Sequence, residues 1–224
     1  LLIYWQFCRQ PRQKLWFLCL ASYLFYSLGS WVFAPLLFGL SLITFWLARR
    51  QQTGIGIVLN LLALLFFKYW NFGAENLNLL ASSFVAEPFI PLLQLALPLG
   101  ISFYVFKHIG YLLDVRQNLY PPTSNFLVFT TFSAFFAQIG AGPISSFADT
   151  GAQLQALPRF LISEHAYQGL IHISLGLAKK VLIADALSRT LQTTLFAQPV
   201  PENNLLWSWT AVVAFAIQLY FDFS

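Results

Sequence analysis

SEHAYQGLIHISLGLAKKVLIADALSR, residues 163–189, decides how this chain is read. His165, Gly169, His172, Gly176 and Lys179 recur at i, i+4, i+7, i+11 and i+14, one face of a helix. The other faces carry Leu170, Ile171, Ile173, Leu175, Leu177, Val181 and Leu182. On a soluble helix such a stripe would face water. In a chain too apolar for water it is expected to face protein or a wet cavity.

The whole chain is that apolar. Of its 224 residues 58% are hydrophobic, 18% aromatic and only 9% charged, and the mean hydropathy is +0.67. A soluble domain carries about 25% charged residues, so this chain cannot cover a water-facing surface. The composition predicts an all-α polytopic membrane protein with the lipid bilayer as its solvent. The net charge of +4 is small and sits at segment ends, which points to topology and away from nucleic acid. There is no methionine. The expectation is a single transmembrane domain over residues 1–224, incomplete at both ends, with Leu1 to Phe7 the tail of an earlier helix and no visible signal peptide. Cys8 and Cys19 make no CxxC pair and read as packing residues.

The run from Leu15 to Ala48 would span ~51 Å as one helix, against ~30 Å of hydrocarbon. Gly29, Ser30 and Pro35 supply a break, and Arg9, Arg12, Lys14, Arg49 and Arg50 flank the run. A hairpin with both ends cytoplasmic fits. Gly54 to Trp70 is the next span, ending in the interfacial trio Lys68, Tyr69 and Trp70. Asn71 to Glu87 reads as interfacial, with a short helix around Leu77 to Val85. Phe89 to Val115 is broken by Pro91, Pro98 and Gly100 and is expected to be kinked or re-entrant. Asn125 to Ile144 ends in Gly140-Ala141-Gly142-Pro143. Ser145 to Ser163 reads as a polar loop. After the striped helix come a loop through Pro199 and Pro201 and a final span from Leu205. These come to about seven to eight membrane segments.

Five residues are candidates for lining a substrate path or for buried structural pairing: His172, Lys179, Lys180, Asp185 and Asp222. A lysine near mid-membrane costs several kcal/mol unless paired, wet or snorkelling. Lys179 and Lys180 read either as snorkelling cations at a cytoplasmic interface or as the lining of an anionic-substrate path. Asp185 and Arg189 have the i, i+4 spacing of a helical ion pair. Asp222 follows a wholly apolar run, so it is expected to be buried in protein with Lys180 as first partner and Lys179 as second. Gly169 and Gly176 are expected to admit a neighbouring helix closely. His108, inside the broken segment, reads as a hydrogen-bonded structural residue. His165 and His172 lie ~10 Å apart along the axis, too far to chelate one ion, and no metal site is expected. No nucleophile elbow, P-loop, dinucleotide fingerprint or HExxH occurs.

Four regions together resemble the membrane-bound O-acyltransferase family, in its bacterial alginate O-acetyltransferase-like branch. They are Phe66 to Phe72 (FFKYWNF), Leu97 to Tyr104 (LPLGISFY) running on to Tyr111 to Val115 (YLLDV), Gly140 to Ile144 (GAGPI), and Gly176 to Asp185 (GLAKKVLIAD) followed by Gln218 to Ser224 (QLYFDFS). The resemblance covers nearly the whole chain. It implies a ring of tilted, partly broken helices around a thinned centre in a bacterial plasma membrane. It further implies transfer of an acyl group, acetyl in this branch, to an exported or cell-surface polysaccharide such as alginate. The donor, acetyl-CoA or another acyl donor, enters as substrate from the cytoplasmic side, with no bound cofactor. A periplasmic or extracellular acyl-accepting protein or polysaccharide meets it outside. The family's catalytic histidine lies downstream of the QLYFDFS stretch, beside a tryptophan. None of His108, His165 or His172 matches it, so the resemblance places no catalytic residue before Ser224 and implies that this chain alone is inactive.

Two other classes remain open at this point. A secondary transporter also uses discontinuous helices and buried charges, but would show inverted repeats, and none is visible. A non-catalytic membrane scaffold would lack the downstream tryptophan-histidine pair.

Overall fold

The structure is a computed structural model that describes residues 4, 8, 10–82, 90–93, 96–140, 142, 145–158, 163–195 and 205–223. Arg9, Val85, Glu87, Phe89, Ala141, Pro143, Pro199, Pro201 and Ser224, on which some of the expectations above fall, lie outside them. The described residues form helices joined by turns and irregular stretches, with no strand among them. Two compact units are distinguished, residues 1–159 and 160–224.

The first unit begins with α1 (Pro11–Ser30), a 3₁₀ turn (Trp31–Phe33) and α2 (Ala34–Arg49). In a continuous helix Tyr23 and Phe38 would be ~22 Å apart. Their ring centroids are 6.2 Å apart, so the chain does fold back, as the length of the run required. Pro35 starts α2, where a proline's missing N–H costs nothing.

Helix α3 (Thr53–Ala81) runs through Trp70 and Asn71 without a break. This corrects the separate short interfacial helix. The polar residues beyond Trp70 are helix-compatible, and two of them clasp the returning chain. Asn71 donates to the Leu93 carbonyl at 2.8 Å and accepts from its N–H at 2.9 Å. Asn78 does the same to Ile90, at 2.8 and 3.0 Å, and the Trp70 indole donates to the Pro91 carbonyl. These carboxamides satisfy a proline-interrupted extended backbone that bilayer could not satisfy.

Helix α4 (Ile101–Arg116) starts only after Gly100, so the expected break is present. Gly100 has φ +65°, and a Cβ there would run into the Ile139 carbonyl. Helix α5 (Phe126–Ala134) is capped by Asn125, whose side chain accepts from Leu127 and Val128 N–H. It is shorter than its apolar run, because Phe135 turns to an extended ψ of 113°. The expected polar loop contains α6 (Phe147–Gln155), capped by Ser146. The Ser146-x-x-Asp149 spacing is a capping signature that the sequence reading passed over.

Helix α5 packs on α1 and α2, and α3 on α4. Gly56 makes the second contact close: a Cβ there would sit 2.9 Å from the Leu112 side chain. The core between them is aromatic. Phe129 and Tyr111 have ring centroids 4.8 Å apart, Tyr111 and Phe147 4.9 Å, and Phe132 and Phe147 5.1 Å.

The second unit holds α7 (Ser163–Lys179), a π-helical turn (Lys180–Ala184), α8 (Asp185–Thr190), a second π turn (Leu191–Leu195) and α9 (Leu205–Phe223). Leu191 and Ala211 form its small core with Trp207 and Ala214. The striped segment is therefore helical throughout, but its period changes at Lys180.

Three helical stretches among the described residues are long and apolar enough to cross a membrane: Trp31–Arg49, Thr53–Ala81 and Leu205–Phe223. The chain is a helical membrane protein.

Candidate functional site

Buried polar residues of the first unit sit on several helices, and the largest of them form a stripe on α4. Tyr104, Lys107, His108 and Tyr111 fall at i, i+3, i+4 and i+7, and each is at most 3% exposed. The stripe with buried partners is this one, and not the one on α7. Its spacing was present in the sequence, hidden among equally periodic Ile101, Val105, Leu112 and Val115.

His108 is fully buried. Its Nδ1 lies 3.0 Å from Asn60 Oδ1 and its Nε2 2.8 Å from Ser133 Oγ. The Asn60 amide donates to Thr44 Oγ1 and to the Gly56 carbonyl, both at 2.9 Å. Its oxygen can then only accept, so Nδ1–H donates to it and Nε2 accepts from Ser133. Both ring nitrogens are thereby occupied, by residues of α3 and α5, and no lone pair is left for a substrate. His108 is the hydrogen-bonded structural residue that its context suggested.

Lys107 is the residue that sequence reasoning missed. Its ammonium donates to the Phe132 carbonyl and to Gln138 Oε1, the latter at 3.1 Å, and lies 4.1 Å from the Phe132 ring centroid. Phe132 is in the last turn of α5, where unpaired carbonyls attract a cation. Ser145 donates to the same Gln138 oxygen, and Thr150 of α6 donates to Ser145. An apolar groove of about 610 Å³ runs along α3 beside the FFKYWNF stretch, lined by Leu62, Phe66, Tyr69, Trp70 and Leu77.

Of the five candidate residues, the second unit brings three together. Lys180 Nζ lies 2.6 Å from Asp222 Oδ1 and 2.9 Å from Asp185 Oδ1. Gln218, one turn before Asp222 on α9, approaches its other oxygen at 3.4 Å. The expected Lys180–Asp222 pair is present. The expected Asp185–Arg189 pair is not seen among the described residues, because the π turn gives Asp185 to Lys180. Burial of Asp222 is corrected: its side chain keeps 21% of its surface, since α9 is packed on one side only.

His172 is not part of this cluster. His172 is exposed, with Nδ1 2.7 Å from the Gln168 carbonyl of its own helix. The glycine contact on α7 is also corrected. A Cβ on Gly169 or Gly176 would meet nothing within 4 Å, and no residue of α7 is buried. Among the described residues nothing stands within Cβ reach of the two glycines.

Comparison with known proteins gives these helices a family. The chain is 35% identical over 219 residues to a protein of Pseudomonas aeruginosa named as a probable alginate O-acetylase, AlgI. The match takes in 92% of this chain and 41% of that protein. The chain belongs to the alginate O-acetylase-like branch of the membrane-bound O-acyltransferases. It is also 32% identical over 251 residues to a peptidoglycan O-acetyltransferase of Helicobacter pylori, covering 94% of this chain and 45% of that one. Similarity to a teichoic acid D-alanyltransferase of Bacillus subtilis is lower, 24% over 190 residues, or 82% of this chain and 45% of the relative. The chain thus spans less than half the length of these relatives. No family profile matches it, and no solved structure does.

Proposed function

We propose that the full-length protein is a membrane O-acyltransferase that moves acetyl groups to an exported or cell-surface polysaccharide. The observation that carries this is the similarity, along 92% of the chain, to a protein named for alginate O-acetylation. The likeness to a peptidoglycan O-acetyltransferase supports the same reaction on another exported glycan.

In this reading the chain is one continuous transmembrane domain of a multi-pass protein in the bacterial inner membrane. About seven to eight segments, some of them short or re-entrant, form part of a ring of tilted helices. The proline-interrupted stretch held by Asn71 and Asn78 favours a re-entrant piece. Acetyl-CoA or another acyl donor is the substrate on the cytoplasmic side, and a polysaccharide or acyl-accepting protein takes the group outside. Lys180, Asp185 and Asp222 serve as structural polar residues of the site wall, a role that their mutual pairing supports. His172 and Lys179, earlier on the same helix, line the acyl path. The chemistry itself belongs to a histidine beyond Ser224.

Deleting the gene and measuring ester-linked acetate on the exported polysaccharide tests the proposal. Acetate falls if it is right. Unchanged acetate across growth conditions rejects it.

A further inference from the structure

The π-helical turn Lys180–Ala184 changes which residues can meet. In an uninterrupted α-helix residues five apart point about 140° away from each other. The neighbours of Asp185 one turn back would then be Val181 and Leu182, neither of which can pair with a carboxylate. In the structure the Asp185 N–H donates to the Lys180 carbonyl, an i→i+5 bond. That bond closes one turn over five residues and stacks Asp185 on Lys180, giving the 2.9 Å contact. From the same position the ammonium reaches Asp222 on α9 at 2.6 Å. One lysine therefore holds carboxylates from two helical segments, using two of its three donors.

Two features make this more than a surface pair. π turns are rare and concentrate at functional sites. Ionisable residues in apolar membrane segments are costly and mark function, and all three charges here interrupt such segments: VLIA separates Lys180 from Asp185, and Asp222 follows the apolar run of α9. The cluster is also the place where α9 is tied by charge to the preceding helix, at the end of α9 away from its small core around Ala211.

We infer that the π turn makes Lys180 a positioning residue: it clamps the last turn of α9, through Asp222, against the helix that carries Asp185. This rests on the acyltransferase reading, in which the last turn of α9 belongs to the wall of the transfer site. Lys180 touches no reacting atom. It sets where the Tyr220-to-Phe223 backbone stands.

The test uses the full-length protein in nanodiscs, with Lys180→Met, Asp222→Asn, their combination, and Lys180→Arg. Each single change to a neutral side chain speeds amide exchange at residues 218–223 and lowers the unfolding temperature by about 2–4 °C. The double variant is no worse than the worse single. In acetyl transfer, kcat falls roughly 100-fold, as a misplaced group would cost, while KM for the donor stays within about twofold. Lys180→Arg keeps the charge and recovers most of kcat, which a cavity or packing defect would not allow. Strictly additive effects, unchanged exchange at 218–223, or unchanged kcat each overturn the clamp. Wild-type protein inactive on every polysaccharide would sink the acyltransferase reading instead. The clamp would then be decided by the exchange and unfolding cycle, which needs no turnover.

Discussion

Replacing Asn60 by leucine probes the buried network most sharply. Asn60 is fully buried on α3 and bonds to α2 through Thr44 and to α4 through His108. Leucine is of similar size and fills the space with apolar atoms. Some of the lost bonds can be replaced. Thr44 can turn its hydroxyl to a carbonyl of its own helix, and the Gly56 carbonyl keeps its helical backbone partner. The His108 Nδ1–H cannot recover so easily. Thr44 Oγ1 is 3.5 Å away, too long for a good bond. One buried donor is left unsatisfied, at about 1–3 kcal/mol, and the lost Thr44 bond adds roughly 0.5–1.5 kcal/mol. At about 2–4 °C per kcal/mol for a domain of this size, Asn60→Leu should lower the unfolding temperature of the full-length protein in detergent by roughly 5–10 °C. Adding His108→Leu removes the orphaned donor with its partner, so the double variant should be no less stable than the worse single. An unchanged midpoint for Asn60→Leu, or strictly additive losses in the double, would refute the hydrogen-bond accounting.

Three further outcomes follow from the same structure. Gly56→Leu should cost about 1–3 kcal/mol by forcing α3 and α4 apart, while Gly176→Leu, on the open face of α7, should stay within about 0.5 kcal/mol; detergent melting curves compare the two, and equal losses would contradict the open face. Lys107→Met keeps the aliphatic stem but removes the ammonium from the Phe132 carbonyl and leaves Gln138 with Ser145 alone, so the unfolding temperature should fall by a few degrees, and no change would deny Lys107 its helix-capping role. Single cysteines placed at the exposed positions Gln10, Arg12, Gln13 and Arg49 to Gln52, with Cys8 and Cys19 replaced, should resist impermeant maleimide from outside, and strong labelling at either group would overturn the cytoplasmic hairpin ends.

The sequence carried the coarse fold through arithmetic that the bilayer imposes. A 34-residue apolar run cannot cross once, so the turn near Trp31 was forced, and Pro98-Leu99-Gly100 could only break a helix. The last span, from Leu205, was marked by its apolar run. Other features depended on what packs where. The α7 stripe has the spacing of a buried face, yet among the described residues none of it is buried, because periodicity says that residues share a face and not what covers it. The buried stripe on α4 was masked by apolar residues of the same period. Lys180 and Asp222 could be paired from the sequence because both needed a partner. Asp185 could not be assigned correctly, because an i, i+5 contact requires a π turn, which no residue pattern in VLIA announces.

The central claim is acyl transfer to an exported glycan, and reconstitution tests it most directly. Full-length protein in proteoliposomes, with acetyl-labelled donor on the cytoplasmic face and polysaccharide on the other, should yield alkali-labile label on the polymer, and none in protein-free vesicles. Folded, monodisperse protein that leaves the polymer unlabelled with every acyl donor supplied would contradict the account.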